Sequence, residues 1–363
     1  MLWIILSIVL LVGIALGSFF AFASYQMSKI PAMTFEEMLI YTTKGQSDAV
    51  ITVGTIKNGE ISYTAYGENG VVLPLQEEMY EIGSITKTFT ASLLCKAADE
   101  GKMNLDDAID RYLDLPEKEY YPTVERLITH TSGYKSYYFE KPMVSNFLNR
   151  RNDFYGITNE MLMRQLGKIM LEDQNYPFKY SNFGFAAMGA VLEEVYDQDY
   201  ATLMNTYISE ELGLANTRLS DGSDGLQNCW EWAESDAYLP AGAIISDISD
   251  MMRYVQIQMG EEFDYLSTAH EPLANVEATT GNYERMGIRI DAVGVGWMID
   301  EENNIIWHNG GTGSYNCYLG FDKERQVAVV VLSNLPPNHR IPATVIGVKC
   351  LKDLQDEVDS VQE

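Results

Sequence analysis

The stretch AVITVGTIKNGEISYTAYG, residues 49–67, decides how the rest of the chain is read. Two runs rich in β-branched and aromatic residues flank Asn58-Gly59, a pair that accepts the positive φ angles of a tight hairpin turn. In the second run Ile61, Tyr63 and Ala65 alternate with Ser62, Thr64 and Tyr66, as in a strand with two unlike faces. An isolated hairpin is marginal in water, so this one needs further strands. The next 200 or so residues do not supply them: about 84–290 reads as helical segments broken by loops, for example 88–101, 159–171, 183–196, 200–212 and 246–259. Strand character returns at 293–300, 305–308, 315–321 and 327–332, separated by EENN, GGTG and DKER. Helices are expected at 34–41, with Thr34 as N-cap and Glu36 and Glu37 in the first turn, and at 343–358, where Val345, Val348, Leu351 and Leu354 share a face. The economical architecture is α/β (an α+β sandwich). An antiparallel sheet from both chain ends, about 34–83 and 291–358, is flanked by the terminal helices, with a mostly helical lobe at about 84–290 between them. A site is expected in the cleft where the two parts meet.

Composition sets outer limits. With 363 residues the chain can hold one large domain or two lobes, and 46% hydrophobic with 21% charged residues is a globular balance. Its 25 Lys and Arg against 52 Asp and Glu give −27, a field that repels phosphate backbones and argues against nucleic acid as a partner. Cys95, Cys229, Cys317 and Cys350 form no Cys-x-x-Cys and no Cys/His cluster. Neither a metal site nor a disulfide framework is indicated, and no cofactor is implied.

Residues 2–23 carry no charge, and 22 helical residues at about 1.5 Å each suffice for roughly 30 Å of hydrocarbon. Signal peptides start with basic residues, whereas no Lys or Arg precedes Lys29. The expectation is a membrane anchor at 1–25, a linker at 26–33 and a globular domain at 34–358. Ala21-Phe22-Ala23 has the form of a cleavage site, so a removed signal segment is the alternative. Lys29 and Lys44 follow the apolar run, a weak cue for a cytoplasmic globular part that long domains override.

Three short segments carry chemistry. In EIGSITKTFTA (81–91), Ser84 opens a helical run and Lys87 lies one turn later on the same face. Serine becomes a nucleophile only when a neighbour takes its proton, and lysine can do so only when neutral. Lowering a lysine from about 10.4 to near 7 costs roughly 4.6 kcal/mol at 1.36 per unit, which burial or a cationic neighbour must supply. The same spacing recurs at Ser132 and Lys135, so the pattern alone does not select Ser84. The second segment is Tyr180-Ser181-Asn182, where Tyr180 is the one tyrosine of 23 with an asparagine two positions on. A phenol beside a lysine relays protons, and an amide holds the carbonyl side of a substrate. The third is His308-Asn309-Gly310-Gly311-Thr312-Gly313, at the end of an expected strand. Glycines there let another backbone approach closely and aim an N–H at an oxyanion. G-x-S-x-G, H-E-x-x-H and P-loop patterns are absent, and four histidines are few from which to build a Ser-His-Asp triad.

In this order, and with this sheet–helix–sheet pattern, the three segments resemble the serine β-lactamase and penicillin-binding-protein family, its class C branch above all. LITHTSG (127–133), PAGAIISDISDMMRY (240–254) and WHNGGTGSYNCYLGFD (307–322) look like stretches of that family, and the resemblance covers about residues 34–355. It implies an acyl-enzyme at Ser84, with Lys87 as base and Tyr180 sharing the proton traffic. Asn182 would orient the substrate amide, and His308 would stand beside Tyr180 and the substrate's acidic end. Gly310 and Gly311 would border the substrate, with the N–H groups of Ser84 and Gly311 as oxyanion hole. His308 stands where many relatives have lysine, which points to D,D-peptidase, D-aminopeptidase or esterase members rather than dedicated β-lactamases. The expected partner is a small-molecule or peptide substrate such as a cell-wall peptide. The resemblance places the catalytic part outside the cytoplasm. The alternative is a penicillin-binding sensor or peptidoglycan-binding protein that is acylated without turnover.

Overall fold

The hairpin forms around Asn58 and Gly59, both at positive φ (53° and 77°), and its two strands pair from Ile51↔Tyr66 to Lys57↔Glu60. The protein, here as a computed structural model, is described over residues 28–362 except 77, 223, 224 and 261. The expected anchor at 1–25 lies outside the described residues. Among those described, no helix is long and apolar enough to cross a membrane.

Twelve strands follow in chain order: β1 (Ile51–Lys57), β2 (Glu60–Tyr66), β3 (Val72–Leu73), β4 (Tyr80–Glu81), β5 (Arg218–Leu219), β6 (Ile244–Ser246), β7 (Ala274–Asn275), β8 (Ala292–Val293), β9 (Met298–Asp300), β10 (Ile305–Gly311), β11 (Asn316–Asp322) and β12 (Val327–Ser333). The α-helices are α1 (Phe35–Thr43), α2 (Thr86–Asp99), α3 (Val124–Ile128), α4 (Pro142–Asn149), α5 (Asn159–Lys168), α6 (Asn182–Tyr196), α7 (Tyr200–Thr206), α8 (Leu239–Gly242), α9 (Ile248–Met259), α10 (Gly281–Arg285) and α11 (Ala343–Gln362). Nine strands make one antiparallel sheet in the order β3-β2-β1-β12-β11-β10-β9-β8-β7, and β4-β6-β5 form a small second sheet. β1 pairs with β12 from Ile51↔Ser333 to Ile56↔Ala328, which joins the two ends of the chain.

Burial on both faces explains why β12 is apolar without alternation. Val327, Val329 and Val331 pack in the core under the terminal helices, beside Met38 and Leu39 of α1 and Ile346 and Leu351 of α11. Ala328, Val330 and Leu332 face the helical lobe, beside Met251 and Met252 of α9. Helix α1 starts with a full capping box, Thr34 with Glu37.

Three expectations are corrected. The run 293–300 is two strands: Val293 pairs with Met298 across a turn holding Gly294 and Gly296, the latter at φ 73°. The β-propensity of the intervening Val295 and Trp297 hides that turn. β10 continues past His308 to Gly311, so the glycines are in the ladder, paired with Cys317 and Asn316, rather than in a loop. Finally, the sheet is not confined to the chain ends: within the mostly helical stretch 84–290, β5 and β6 join β4 in the small sheet and β7 joins the large one.

One glycine sets how closely α11 sits on the sheet. A Cβ on Gly347 would lie 2.0 Å from Cδ1 of Tyr318, a β11 side chain with no exposed surface. In an isolated helix Gly→Ala gains about 1 kcal/mol, but overpacking a core costs about 1–3. Gly347→Ala should therefore destabilise the protein by up to about 2 kcal/mol, read as a lower urea midpoint; a raised midpoint would show that packing does not dominate here.

Candidate active site

From β4 the chain passes through Ile82 and Gly83 into a single 3-10 turn, Gly83–Ile85, and directly on into α2. Ser84 thus stands in the turn before the helix, and no side chain caps this helix start. Lys87 is fully buried, and its Nζ donates to Ser84 Oγ at 3.1 Å and to the Ala241 carbonyl of α8 at 2.5 Å. It lies over the Tyr180 ring at 4.9 Å and the Phe185 ring at 5.6 Å. Among the described residues no carboxylate pairs with it, and burial holds its ammonium well below the ordinary lysine value. This is the depression that the sequence reading demanded, supplied by desolvation.

Tyr180 ends the loop before α6. Its hydroxyl is buried and close enough to Ser84 to interact, yet makes no well-formed hydrogen bond. Burial raises the phenol above its usual range, so it is protonated at neutral pH. The segment is gripped from both sides by His130: Lys179 N donates to the His130 carbonyl at 2.8 Å, and Ser181 N donates to His130 Nδ1 at 3.1 Å. The imidazole ring also packs against Tyr180 at 4.5 Å between centroids. Ser181 caps α6 by accepting from Gly184 N at 2.9 Å. Asn182 is the first residue of α6 and donates from Nδ2 to Ser136 Oγ at 3.3 Å.

β10 closes the other side. A Cβ on Gly310 would fall 1.8 Å from the Ile82 carbonyl oxygen and 3.1 Å from Ser84 N. A Cβ on Gly83, which has φ 51°, would fall 2.6 Å from Gly311 N. The strand therefore lies directly against the turn that carries Ser84. His308, one strand position earlier on the same face as Gly310, is wholly buried and 6.2 Å from the Tyr180 ring. Its Nδ1 lies 2.7 Å from the Asn309 carbonyl oxygen, to which it donates, leaving Nε2 as a buried acceptor with no protein partner. Burial and then the Lys87 charge push its pKa down to about 3. A cleft of about 620 Å³ opens here, with Ser84, Tyr180, Gly310 and Gly311 in its walls.

The sequence pattern of the Beta-lactamase family matches residues 44–345. The chain belongs to the beta-lactamase family. It is 23% identical over 304 residues to Protein flp of Staphylococcus aureus (strain MW2), covering 77% of this chain and 58% of that protein. The chain thus spans somewhat over half the length of that relative. To the D-alanyl-D-alanine-carboxypeptidase/endopeptidase AmpH of Escherichia coli it is 24% identical over 317 residues, covering 80% of each. A beta-lactamase/D-alanine carboxypeptidase from Yersinia pestis matches 93% of this chain and 99% of its own, with TM-score 0.71 at 19% identity. The octameric penicillin-binding protein homologue from Pyrococcus abyssi matches 94% and 77%, with TM-score 0.68 at 21% identity. At these identities the two structures show a shared fold.

Within this beta-lactamase family member, Ser84, Tyr180, Gly310 and Gly311 line one cleft, with Lys87 buried against Ser84 and His308 buried near Tyr180. Lys87, His308 and Asn182 are not among the residues lining it. The rival pair separates: Ser132 is buried and accepts from Tyr134 N at 3.3 Å, while Lys135 is exposed. Two contributors went unassigned in sequence. His130 lies inside the quoted LITHTSG stretch, but its grip on Tyr180 depends on a positive φ of 60° that no local signal announces. The Ala241 carbonyl, as main chain, carries no sequence signal at all.

The His308 geometry fixes a pH response. Free histidine titrates near 6.5, the folded residue near 3. Between those values the unfolded chain binds a proton that the folded one refuses, so stability should fall as pH drops from about 6.5 to 3, with no contribution above that window. The His308 imidazole resonances should hold still from pH 8 to about pH 4; a midpoint near 6.5 in the folded protein would contradict the buried neutral ring.

Proposed function

We propose that the chain is a membrane-tethered serine hydrolase that cleaves amide or ester bonds through an acyl-enzyme at Ser84. The observation that carries this reading is a fully buried lysine, without a countercharge, 3.1 Å from a serine hydroxyl on the wall of a cleft. Neutral Lys87 takes the Ser84 proton as Oγ attacks the carbonyl carbon. The tetrahedral oxyanion is met by the N–H groups of Ser84 and Gly311. Protonated Tyr180 gives its proton to the leaving group and recovers one from Lys87 as the bond to that group breaks. Water then attacks the ester, with the same groups working in reverse. Asn182 orients the substrate amide after exchanging its bond to Ser136. The carboxypeptidase/endopeptidase name of the Escherichia coli relative supports a peptide or amide substrate, and on this reading the catalytic part lies outside the cytoplasm, where a cell-wall peptide would be met.

A fluorescent penicillin or fluorophosphonate should label the protein, and Ser84→Ala should abolish labelling while Ser132→Ala leaves it intact; the reverse pattern would move the nucleophile. Gly310→Ala should slow labelling by about 10²–10³, the worth of one oxyanion donor, because its methyl group cannot coexist with the Ile82 carbonyl. Intact-mass time courses separate the alternative: an adduct that decays marks a hydrolase, whereas one that persists with every substrate class marks an acylated sensor. Protease added to intact cells should digest the globular part, and its protection would reverse the orientation.

A further inference from the structure

The cleft beside Ser84 has a lining that acyl transfer alone does not require. Phe178, Tyr283, Met286, Ile288, Met298 and Trp307 give its wall of about 620 Å³ a largely apolar character. Among the described residues, no Asp, Glu or Lys lines it, and Arg340 is the one formal cation. The Arg340 Nη1 donates to the carbonyl oxygens of Tyr41 and Lys44 at 2.6 and 2.7 Å, and its guanidinium lies over the Tyr41 ring. Through Nη1 it closes the end of α1. His308 is neutral across the physiological range. A substrate carboxylate entering this space would lose water along walls that are otherwise uncharged, with this single tethered guanidinium as countercharge.

The cleft also has a side. Its wall includes Tyr180, the phenol that hands a proton to the departing group, while Lys87 and Asn182 are outside the lining. The space adjoining the proton donor is where the leaving group departs.

We propose that this cleft binds the leaving group and selects a neutral, apolar alcohol or amine, so that the preferred substrate is an ester or amide of such a group rather than a peptide ending in a free carboxylate. This rests on the acyl-transfer reading above. The scissile bond joins the acyl carbon to the alcohol oxygen or amine nitrogen; that atom leaves with the proton from Tyr180, and water supplies the hydroxyl of the released acid. The bulk of the lining then contributes to binding in proportion to the apolar surface it covers.

The test uses the full-length protein in lipid nanodiscs with acetate esters of methanol, butanol and hexanol, acetate release being followed by pH-stat. kcat/KM should rise by up to about fourfold per added methylene, the factor corresponding to about 0.8 kcal/mol per buried CH₂. The acetate ester of 6-hydroxyhexanoic acid, which carries a carboxylate at the far end, should be at least tenfold poorer than hexyl acetate. Met286→Lys, which puts a cation in the wall, should narrow that gap at least fivefold. A flat chain-length profile, or preference for the carboxylate-bearing ester, overturns the proposal. If Ser84 is labelled by fluorophosphonate but no ester series shows the rise, the cleft assignment fails and the acyl-transfer reading stands. If Ser84 is not labelled, both fail.

Discussion

The site depends on how closely β10 lies against the turn that carries Ser84. No methyl group fits at Gly310, where the Ile82 carbonyl is in the way, nor at Gly83, where Gly311 is. That contact joins residues 82–84 to residues 310–311, and each side is held by a different part of the fold. β10 is fixed by its ladder to β11, which β12 ties to the N-terminal β1. The serine turn is fixed by the small sheet, where Glu81 pairs with Ile245, and by Ile82 N donating to the Ile244 carbonyl at 3.0 Å. Neither half makes the site alone. The β1–β12 pairing, remote from the cleft, is therefore what sets the strand on which the expected oxyanion donor stands.

Electrostatics in the cleft follow from burial more than from paired charges. Lys87, Tyr180, His308 and His130 lie together, and in each the neutral form is favoured by desolvation. Where Lys87 takes up a proton at lower pH, its charge adds a second reason for both histidines to stay unprotonated. The consequence is an assignment of roles: a neutral amine can accept a proton, whereas a phenol kept protonated can only give one up or pass one on. Three of these groups have a buried polar atom without a protein partner, namely Tyr180 Oη, His308 Nε2 and His130 Nε2. Such atoms are costly to leave unpaired, and their concentration around the serine is what a site awaiting a polar reactant would show.

Much of the fold was legible because its signals are local or periodic. Asn58-Gly59 announced the hairpin, Thr34 with Glu36 and Glu37 the start of the first helix, and Val345, Val348 and Leu351 the closing helix. What failed was context. Val295 and Trp297 carry strand propensity but flank a glycine turn that the Ala269 and Glu271 carbonyls crowd: a Cβ on Gly294 would lie 2.7 Å from the first. Gly310 and Gly311 read as loop residues, yet they are ladder residues because their partners come from β11 and from the serine turn. For the site, Ser84 and Lys87 were readable from one helical turn of spacing and their meeting with Tyr180 from the order of the segments. The burial that neutralises Lys87 and the His130 grip were not, since both arise from contacts between distant segments.

Charge on the surface and its scarcity in the cleft act in the same direction. A net −27 disfavours the approach of anions at long range, although salt limits that effect to about 8–10 Å. At short range, the walls beside Ser84 present aromatic and aliphatic groups with one guanidinium already bonded to main chain. A lysine in place of His308 would have put a second amine beside Lys87, in a pocket where burial already drives one lysine to neutrality. Protonating either would lower the other's affinity for protons, and the neutral imidazole avoids that conflict. On the reading proposed above, selection of substrate falls to the shape and apolarity of the cleft, while the chemistry stays with the serine, the amine and the phenol.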